Sequence, residues 1–283
     1  MVARFPFEYL VREPAAPLDR LVESVWYARG QVPYTREKIA PTGSSVVVFV
    51  LGDPIEVTAD DGKAETLRSE EGFLIGPHDR PVVNQPLGET FAVGIIATPV
   101  GCEALFGVAP REVRGRALPV TEAWSEAADL RHTLRQAASG EEMLALVEAH
   151  LREQRRALPT GFDRAEAAVR LLEAAPTRPI AEVAQQLGVS HGHLARQFAQ
   201  VVGLTPRVLA RLLRIRRMLE SLDLYGTQSW ADRAAELGWY DQAHLIRDFK
   251  RHTGVTPSRY VAAQRATYEP EFAGDGAGFV PEV

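Results

Sequence analysis

The chain has 283 residues, a formal net charge of −5, 46% hydrophobic and 24% charged residues, the balance of a soluble globular protein of about two domains. Its single cysteine, Cys102, excludes an internal disulfide and a cysteine-based zinc site. No run approaches the roughly 18 apolar residues of a membrane helix, and the N-terminus, with Arg4, Glu8, Arg12 and Glu13, lacks the apolar core of a signal peptide, so the sequence fits a cytoplasmic protein.

The first hundred residues read as mostly β. Val46 to Leu51 is a β-branched run that stops at the turn cluster Gly52-Asp53-Pro54. Ile55-Glu56-Val57-Thr58 alternates apolar and polar before Asp60-Asp61-Gly62-Lys63, where Asp-Gly supplies a tight hairpin turn. Phe73-Leu74-Ile75 and Phe91 to Ile96 read as further strands. Short strands at about ten-residue spacing predict a small barrel or sandwich.

From about Gly101 the pattern is helical. Cys102 to Phe106 predicts a short helix ending at Gly107, and Glu122–Ala138 and Glu141–Arg156 predict two longer ones, the second with Met143, Leu144, Val147 and Leu151 on one face. Leu158-Pro159-Thr160-Gly161 breaks the pattern and reads as a linker. Asp163 with Glu166 reads as a capping box opening a helix to about Ala175. Pro206 to Leu222 reads as one long helix, with an apolar stripe of Val208, Leu212, Ile215, Leu219 and Leu222; Arg207, Arg211, Arg214 and Arg217 lie off that stripe, as on a solvated face. The tail after Tyr268, rich in Gly and acids, reads as disordered.

One pattern occurs twice. Ala184, Leu187, Gly188, His193, Leu194, Arg196, Phe198, Gly203, Thr205 and Pro206 return as Ala234, Leu237, Gly238, His244, Leu245, Arg247, Phe249, Gly254, Thr256 and Pro257, with one residue inserted in the turn of the second copy. Helix, glycine-containing turn and second helix is the sequence form of a helix-turn-helix. Charge separates along the chain in the same sense. Residues 161–265 hold 15 Arg and Lys against 10 Asp and Glu, leaving 17 basic and 27 acidic residues elsewhere, the asymmetry expected when one domain meets phosphate.

In copy one, Ile180 to about Leu187 is the scaffolding helix, Gly188-Val189-Ser190 the turn, and Ser190 a cap for the recognition helix. Leu194 and Phe198 share the face that packs inward. Gly192, Arg196 and Ala199 face out, flanked by His193 and Gln200. In copy two, Ser229 repeats the capping logic, Leu245 and Phe249 face in, and Ala243, Arg247 and Lys250 face out beside His244 and Arg251. Arg196 and Arg247 are placed to pair with guanine, with a surface ion pair or a phosphate contact as the alternative; Gly192, Gln242 and Ala243 are further base-contact candidates. His193, His244, Gln200, Lys250, Arg251 and Arg211 are candidates for the DNA backbone. Trp230, Trp239 and Tyr240 read as packing residues. The long connecting helix suits recognition helices about one duplex turn, ~34 Å, apart.

These features resemble the AraC/XylS family of bacterial transcription regulators: the A-x-x-L-G-x-S turn of copy one, Gly238-Trp239-Tyr240-Asp241-Gln242-Ala243-His244-Leu245 with Arg247-Asp248-Phe249-Lys250, and the Gly254-Val255-Thr256-Pro257 ending with Tyr260. The resemblance implies a seven-helix domain over residues 162–265 that binds double-stranded DNA through two helix-turn-helix units. Pro179 departs from the usual capping Ser or Thr, and Gly192 and Ala195 leave the first recognition helix thin in side chains. Trp26-Tyr27, Gly76-Pro77 and Leu105-Phe106-Gly107-Val108 resemble the sensor-type N-terminal domain of some of these regulators, implying effector binding or dimerisation for residues 1–158, with Trp26 and His78 as effector candidates. The expected architecture is α+β: a β-rich N-terminal barrel or sandwich with appended helices, an all-α double helix-turn-helix domain, and a disordered tail over 266–283. RNA polymerase, a small-molecule effector and a second copy are candidate partners; no cofactor, metal or membrane is implied.

An enzymatic β-barrel is the competing reading. Before Gly161 only His78, His132 and His150 occur, widely separated, and no nucleophile elbow, phosphate loop or dinucleotide fingerprint appears. A methyl-acceptor repair function needs a reactive cysteine, and Cys102 beside Glu103 reads as a packing residue. His78 and Asp79 read as a surface turn. Architectural DNA binding leaves the acidic N-terminal half without a role.

Overall fold

A computed structural model describes residues 7–60, 64–154, 156–226, 229–267 and 278–282. Its strands are β1 (Phe7–Arg12), β2 (Val22–Gly30), β3 (Arg36–Ile39), β4 (Val46–Val50), β5 (Ile55–Asp60), β6 (Ala64–Ser69), β7 (Gly72–Ile75), β8 (Val82–Pro86), β9 (Thr90–Ala97), β10 (Ala117–Pro119) and β11 (Phe279–Glu282). They form two antiparallel sheets, a six-stranded one ordered β1-β2-β9-β4-β7-β10 and a five-stranded one ordered β11-β3-β8-β5-β6. Of the two expected forms, the sandwich is the one found. The predicted hairpin turn at 61–63 lies outside the described residues, while β5 and β6 on either side of it pair.

The six-stranded sheet is covered on both faces, and this explains the run Val46 to Leu51. Val48 and Val50 face the second sheet, with Ile55, Val57, Phe73 and Ile75. Val47 and Phe49 face a helical layer, with Trp124, Leu134, Leu144 and Val147. A strand buried on both sides has no polar face to show. The helical layer is α1 (Cys102–Phe106), α2 (Val120–Ala123), α3 (Ala127–Leu134) and α4 (Gly140–Glu153). The helix expected over 122–138 is broken, because Trp124 leaves helical geometry and buries its ring between Phe49 and Phe106.

Among the described residues seven helices follow: α5 (Phe162–Ala174), α6 (Ile180–Gln186), α7 (His191–Val202), α8 (Pro206–Glu220), α9 (Trp230–Glu236), α10 (Gln242–Thr253) and α11 (Pro257–Thr267). The first three, with α8, enclose one apolar cluster including Phe162, Leu172, Val183, Leu194, Phe198 and Leu209. The other end of α8 joins α9–α11 around a second, with Met218, Trp239, Leu245, Phe249 and Tyr260. Each helix-turn-helix unit thus has its own core, and α8 passes through both. The capping box at Asp163 and Glu166 does not form. Gly161 precedes α5 with φ +85° and no side-chain cap, and both carboxylates accept from Arg20 instead, at 2.8 Å and 2.7 Å.

The halves are packed together. Val100 sits in the first helical cluster and Ala40 in the second, Arg216 pairs with Glu23 at 2.7 Å, and a β-carbon on Gly43 would stand 2.5 Å from Leu209. The expectation of a disordered tail fails at its end. Phe279–Glu282 pairs antiparallel with β3, buries Val280 to 2% exposure, and rests against α11, where the Gly278 N–H donates to the Tyr260 hydroxyl at 3.0 Å. Val280 is the physical reason, since burying one such side chain is worth about 1.5–3 kcal/mol. Residues 268–277 lie outside the described residues.

Glu37 on β3 is 4% exposed and accepts from the Asn84 amide at 2.9 Å. Burial pushes its carboxyl up to about 7, against the opposing hydrogen bonds from Asn84 and Tyr34. As pH rises from 4.5 towards 7 the unfolded chain gives up this proton while the folded chain keeps it, so the contribution to stability is lost through that window. Relative to wild type, Glu37→Gln should gain about 3 kcal/mol between these limits, at ~1.4 kcal/mol per unit. Urea unfolding at a series of pH values checks this; parallel curves for the two proteins would contradict it.

Candidate nucleic-acid interface

The two units are built alike at the level of single hydrogen bonds. In each turn the residue after the glycine donates back to the scaffolding helix, Val189 to the Ala184 carbonyl at 3.0 Å and Trp239 to the Ala234 carbonyl at 2.8 Å. Ser190 caps α7 by accepting from the His193 N–H at 3.2 Å. Asp241 caps α10 by accepting from the His244 N–H at 2.6 Å. Pairing Val189 with Trp239 and Ser190 with Asp241 leaves Tyr240 as the inserted residue of the second copy. Leu194, Phe198, Leu245 and Phe249 are fully buried, as the apolar spacing predicts.

On the outward faces Gly192, Arg196, Gln200, Gln242, Ala243, Arg247 and Lys250 are exposed. The other candidates are partly engaged. His193 Nε2 lies 3.2 Å from the Arg164 guanidinium, which also donates to Gln197. His244 Nε2 is 3.4 Å from Asp248. Arg211 is half-buried. Arg251 donates to Asp79 of the N-terminal half at 2.8 Å, so its guanidinium is shared with a carboxylate inside the molecule.

The arginine run along α8 is only partly a solvated face: Arg207 is exposed, while Arg214 and Arg217 are engaged. Arg214 lies 4.8 Å over the Trp239 ring, donates to the Gly238 carbonyl at 2.9 Å and stands 3.8 Å from Asp248. Asp248 in turn accepts from Trp239 Nε1 at 3.0 Å. Arg217 donates to the carbonyls of Glu173 and Ala174 at the end of α5, the free acceptors of a helix C-terminus. Trp239 is a packing residue; Tyr240 is 92% exposed and packs on nothing.

Both recognition helices end against the N-terminal half. They close on glycines in left-handed geometry, Gly203 at φ +77° and Gly254 at φ +76°. A β-carbon on Gly203 would stand 2.7 Å from Pro77 and 3.0 Å from Pro110, and one on Gly254 2.9 Å from Lys38 and 3.3 Å from Pro81. Between these contacts the His252 Nδ1–H donates to the Asp79 carbonyl at 2.7 Å. The segment Gly76–Pro81 is therefore an interdomain wedge, and His78 and Asp79 are held within it instead of forming the structured surface turn expected. Burial alone would raise the Asp79 pKa, and the Arg251 hydrogen bond and charge outweigh it, leaving the carboxyl below its ordinary value.

The two effector candidates are structural in their surroundings. His78 is buried, its Nδ1–H donating to the Gly76 carbonyl at 2.8 Å, and burial lowers its pKa. Trp26 lies over Gly94 of the adjacent strand, where a β-carbon would be 2.0 Å from the indole. Cys102 is buried, with its thiol pushed up to about 12 by burial, far from the range of a reactive thiolate. Among the described residues no group of three or more His, Cys, Asp or Glu is placed to hold a metal ion, and no helix is long and apolar enough to cross a membrane.

Two capped helix-turn-helix units on a shared connecting helix, joined to a β-sandwich, define a two-domain protein with a double helix-turn-helix DNA-binding domain. Residues 183–263 match a family described as a helix-turn-helix domain, and residues 11–119 match a domain of unknown function, DUF6597. The C-terminal domain is thus a DNA-binding helix-turn-helix domain. No curated protein matches the sequence. Among solved structures the chain is similar to ToxT from Vibrio cholerae, at 13% identity over 90% of this chain and 98% of that one, with a TM-score of 0.48. It is also similar to an AraC-type transcriptional regulator from Chromobacterium violaceum, at 27% identity over 38% of this chain and 96% of that one, TM-score 0.33. A third is the AraC-like transcriptional activator CuxR, at 14% identity over 76% and 87%, TM-score 0.26.

Asp248→Ala should cost about 1–3 kcal/mol, because Trp239 Nε1 then loses its buried acceptor. Denaturant unfolding measures this; a change below about 0.5 kcal/mol would mean the Trp239–Asp248–Arg214 group carries no weight in the second unit.

Proposed function

We propose that the chain is a sequence-specific transcription regulator whose α7 and α10 enter two successive major grooves. The observation that carries this reading is the matched pair of capped helices whose outward faces offer Arg196 and Arg247, exposed and without a partner among the described residues. In this reading the two guanidiniums pair with guanine edges. Gly192 and Ala243, lacking bulk, let the helix N-termini approach the groove floor beside Gln242. Gln200 and Lys250 meet phosphates directly, and His193, His244 and Arg211 do so from their packed positions. Arg251 reaches phosphate only when it leaves Asp79. The domains divide at about 158–162, and the N-terminal one adjusts binding through the Asp79 wedge. Effector binding, pairing of two copies and contact with RNA polymerase belong to that domain.

A gel-shift on the gene's own upstream region, with salt titration, tests the reading. Affinity should fall steeply as salt rises, through counterion release. Arg247→Ala should cost about 1–3 kcal/mol at one base position; equal loss on every sequence would reduce it to a phosphate contact.

Asp79→Ala should tighten binding about two- to fivefold, the scale of one partly exposed ion pair, and steepen the salt dependence by about one counterion as Arg251 becomes available. Unchanged affinity and slope would show that the wedge does not restrain α10.

A further inference from the structure

Tyr240 is the one residue by which the second turn exceeds the first, and nothing in the fold accounts for it. The backbone on either side is fixed: Trp239 is held by Asp248 and Arg214, and Asp241 caps α10. Tyr240 occupies the position just before that cap. An apolar residue there ordinarily staples onto the first turn of its helix, but this ring is 92% exposed, and its hydroxyl has no partner among the described residues. The first unit has no equivalent, since Val189 is followed directly by its cap Ser190.

We propose that Tyr240 is a DNA-backbone contact of the second unit, its phenol donating to a phosphate oxygen at the rim of the groove that α10 enters, with the ring against the adjoining sugar. The inference rests on the DNA-binding reading above. In a helix-turn-helix the first helix crosses the backbone and the N-terminal residues of the second meet base edges. A residue between the two therefore lies at the rim, where hydrogen bonds from neutral side chains to phosphate position a protein without reading sequence. The N-terminus of α10 favours an anion at the same place, and the cap Asp241 is already committed to the His244 N–H. The inserted residue thus makes the two units unequal: the second holds the duplex by one neutral contact that the first lacks.

Tyr240→Phe and Tyr240→Ala separate the hydroxyl from the ring, and neither threatens the fold at so exposed a position. Binding is measured against the upstream duplex and a mixed-sequence duplex of equal length, over a salt series. Tyr240→Phe should weaken binding about three- to tenfold on both duplexes, the worth of one hydrogen bond, and Tyr240→Ala by more. The slope against salt should stay at the wild-type value, because a phenol releases no counterion, while Lys250→Ala should lower it by about one. The thermal midpoint should not move. Wild-type affinity in both Tyr240 variants overturns the proposal, and so does a loss confined to the upstream duplex, which would mark a sequence-reading contact. Failure of the wild-type protein to bind either duplex would instead remove the DNA-binding reading itself.

Discussion

Both recognition helices stop on a left-handed glycine where the N-terminal domain packs against them. A β-carbon on Gly203 would clash with Pro77 and crowd Pro110, and one on Gly254 would press on the Lys38 side chain and crowd Pro81. The geometry of the DNA-facing surface is therefore set from behind. The inward ends of α7 and α10 are seated on one rigid neighbour, and their outward ends are fixed by the Ser190 and Asp241 caps. A close-packed contact of this kind has little compliance, and the segment Gly76–Pro81 touches the ends of both helices.

Within the second unit the same economy appears in α8. Two of its arginines are occupied, Arg214 by stacking on Trp239 and by the Gly238 carbonyl, and Arg217 by the carbonyl end of α5. A guanidinium suits this because its planar fork can stack and donate at once. The positive charge counted along the sequence is thus partly spent inside the domain. The charge left on the outward faces comes from Arg196, Arg247 and Lys250.

The repeat made the helical half legible. Spacing identified both turns, the inward Leu and Phe pairs and the connecting helix, because a helix shows its buried face at a fixed period. The central strand was legible for a similar reason, since Val46 to Leu51 is apolar on both faces. What the sequence hid lies between distant segments. Asp163 and Glu166 have the spacing of a cap, and only the position of Arg20 shows where their charges go. His78 and Asp79 resemble a surface turn until α10 is placed against them. β1, β2, β3 and β8 carry no clean alternation, and β11 follows a stretch of low complexity. Tyr240 reads as a packing residue by its company, Trp239, although the one-residue insertion marks the second turn as the one with a position that has no counterpart.

The terminal strand has a consequence for how freely the DNA-binding domain travels. It is tied to the sandwich at its entrance through Leu158–Gly161 and again beyond its exit, where β11 joins the sheet that holds β3. A body hung from one string can tumble; one held at both ends can only swing about the line between its anchors. The second anchor would also hold the two domains at high local concentration if their side-chain contacts parted.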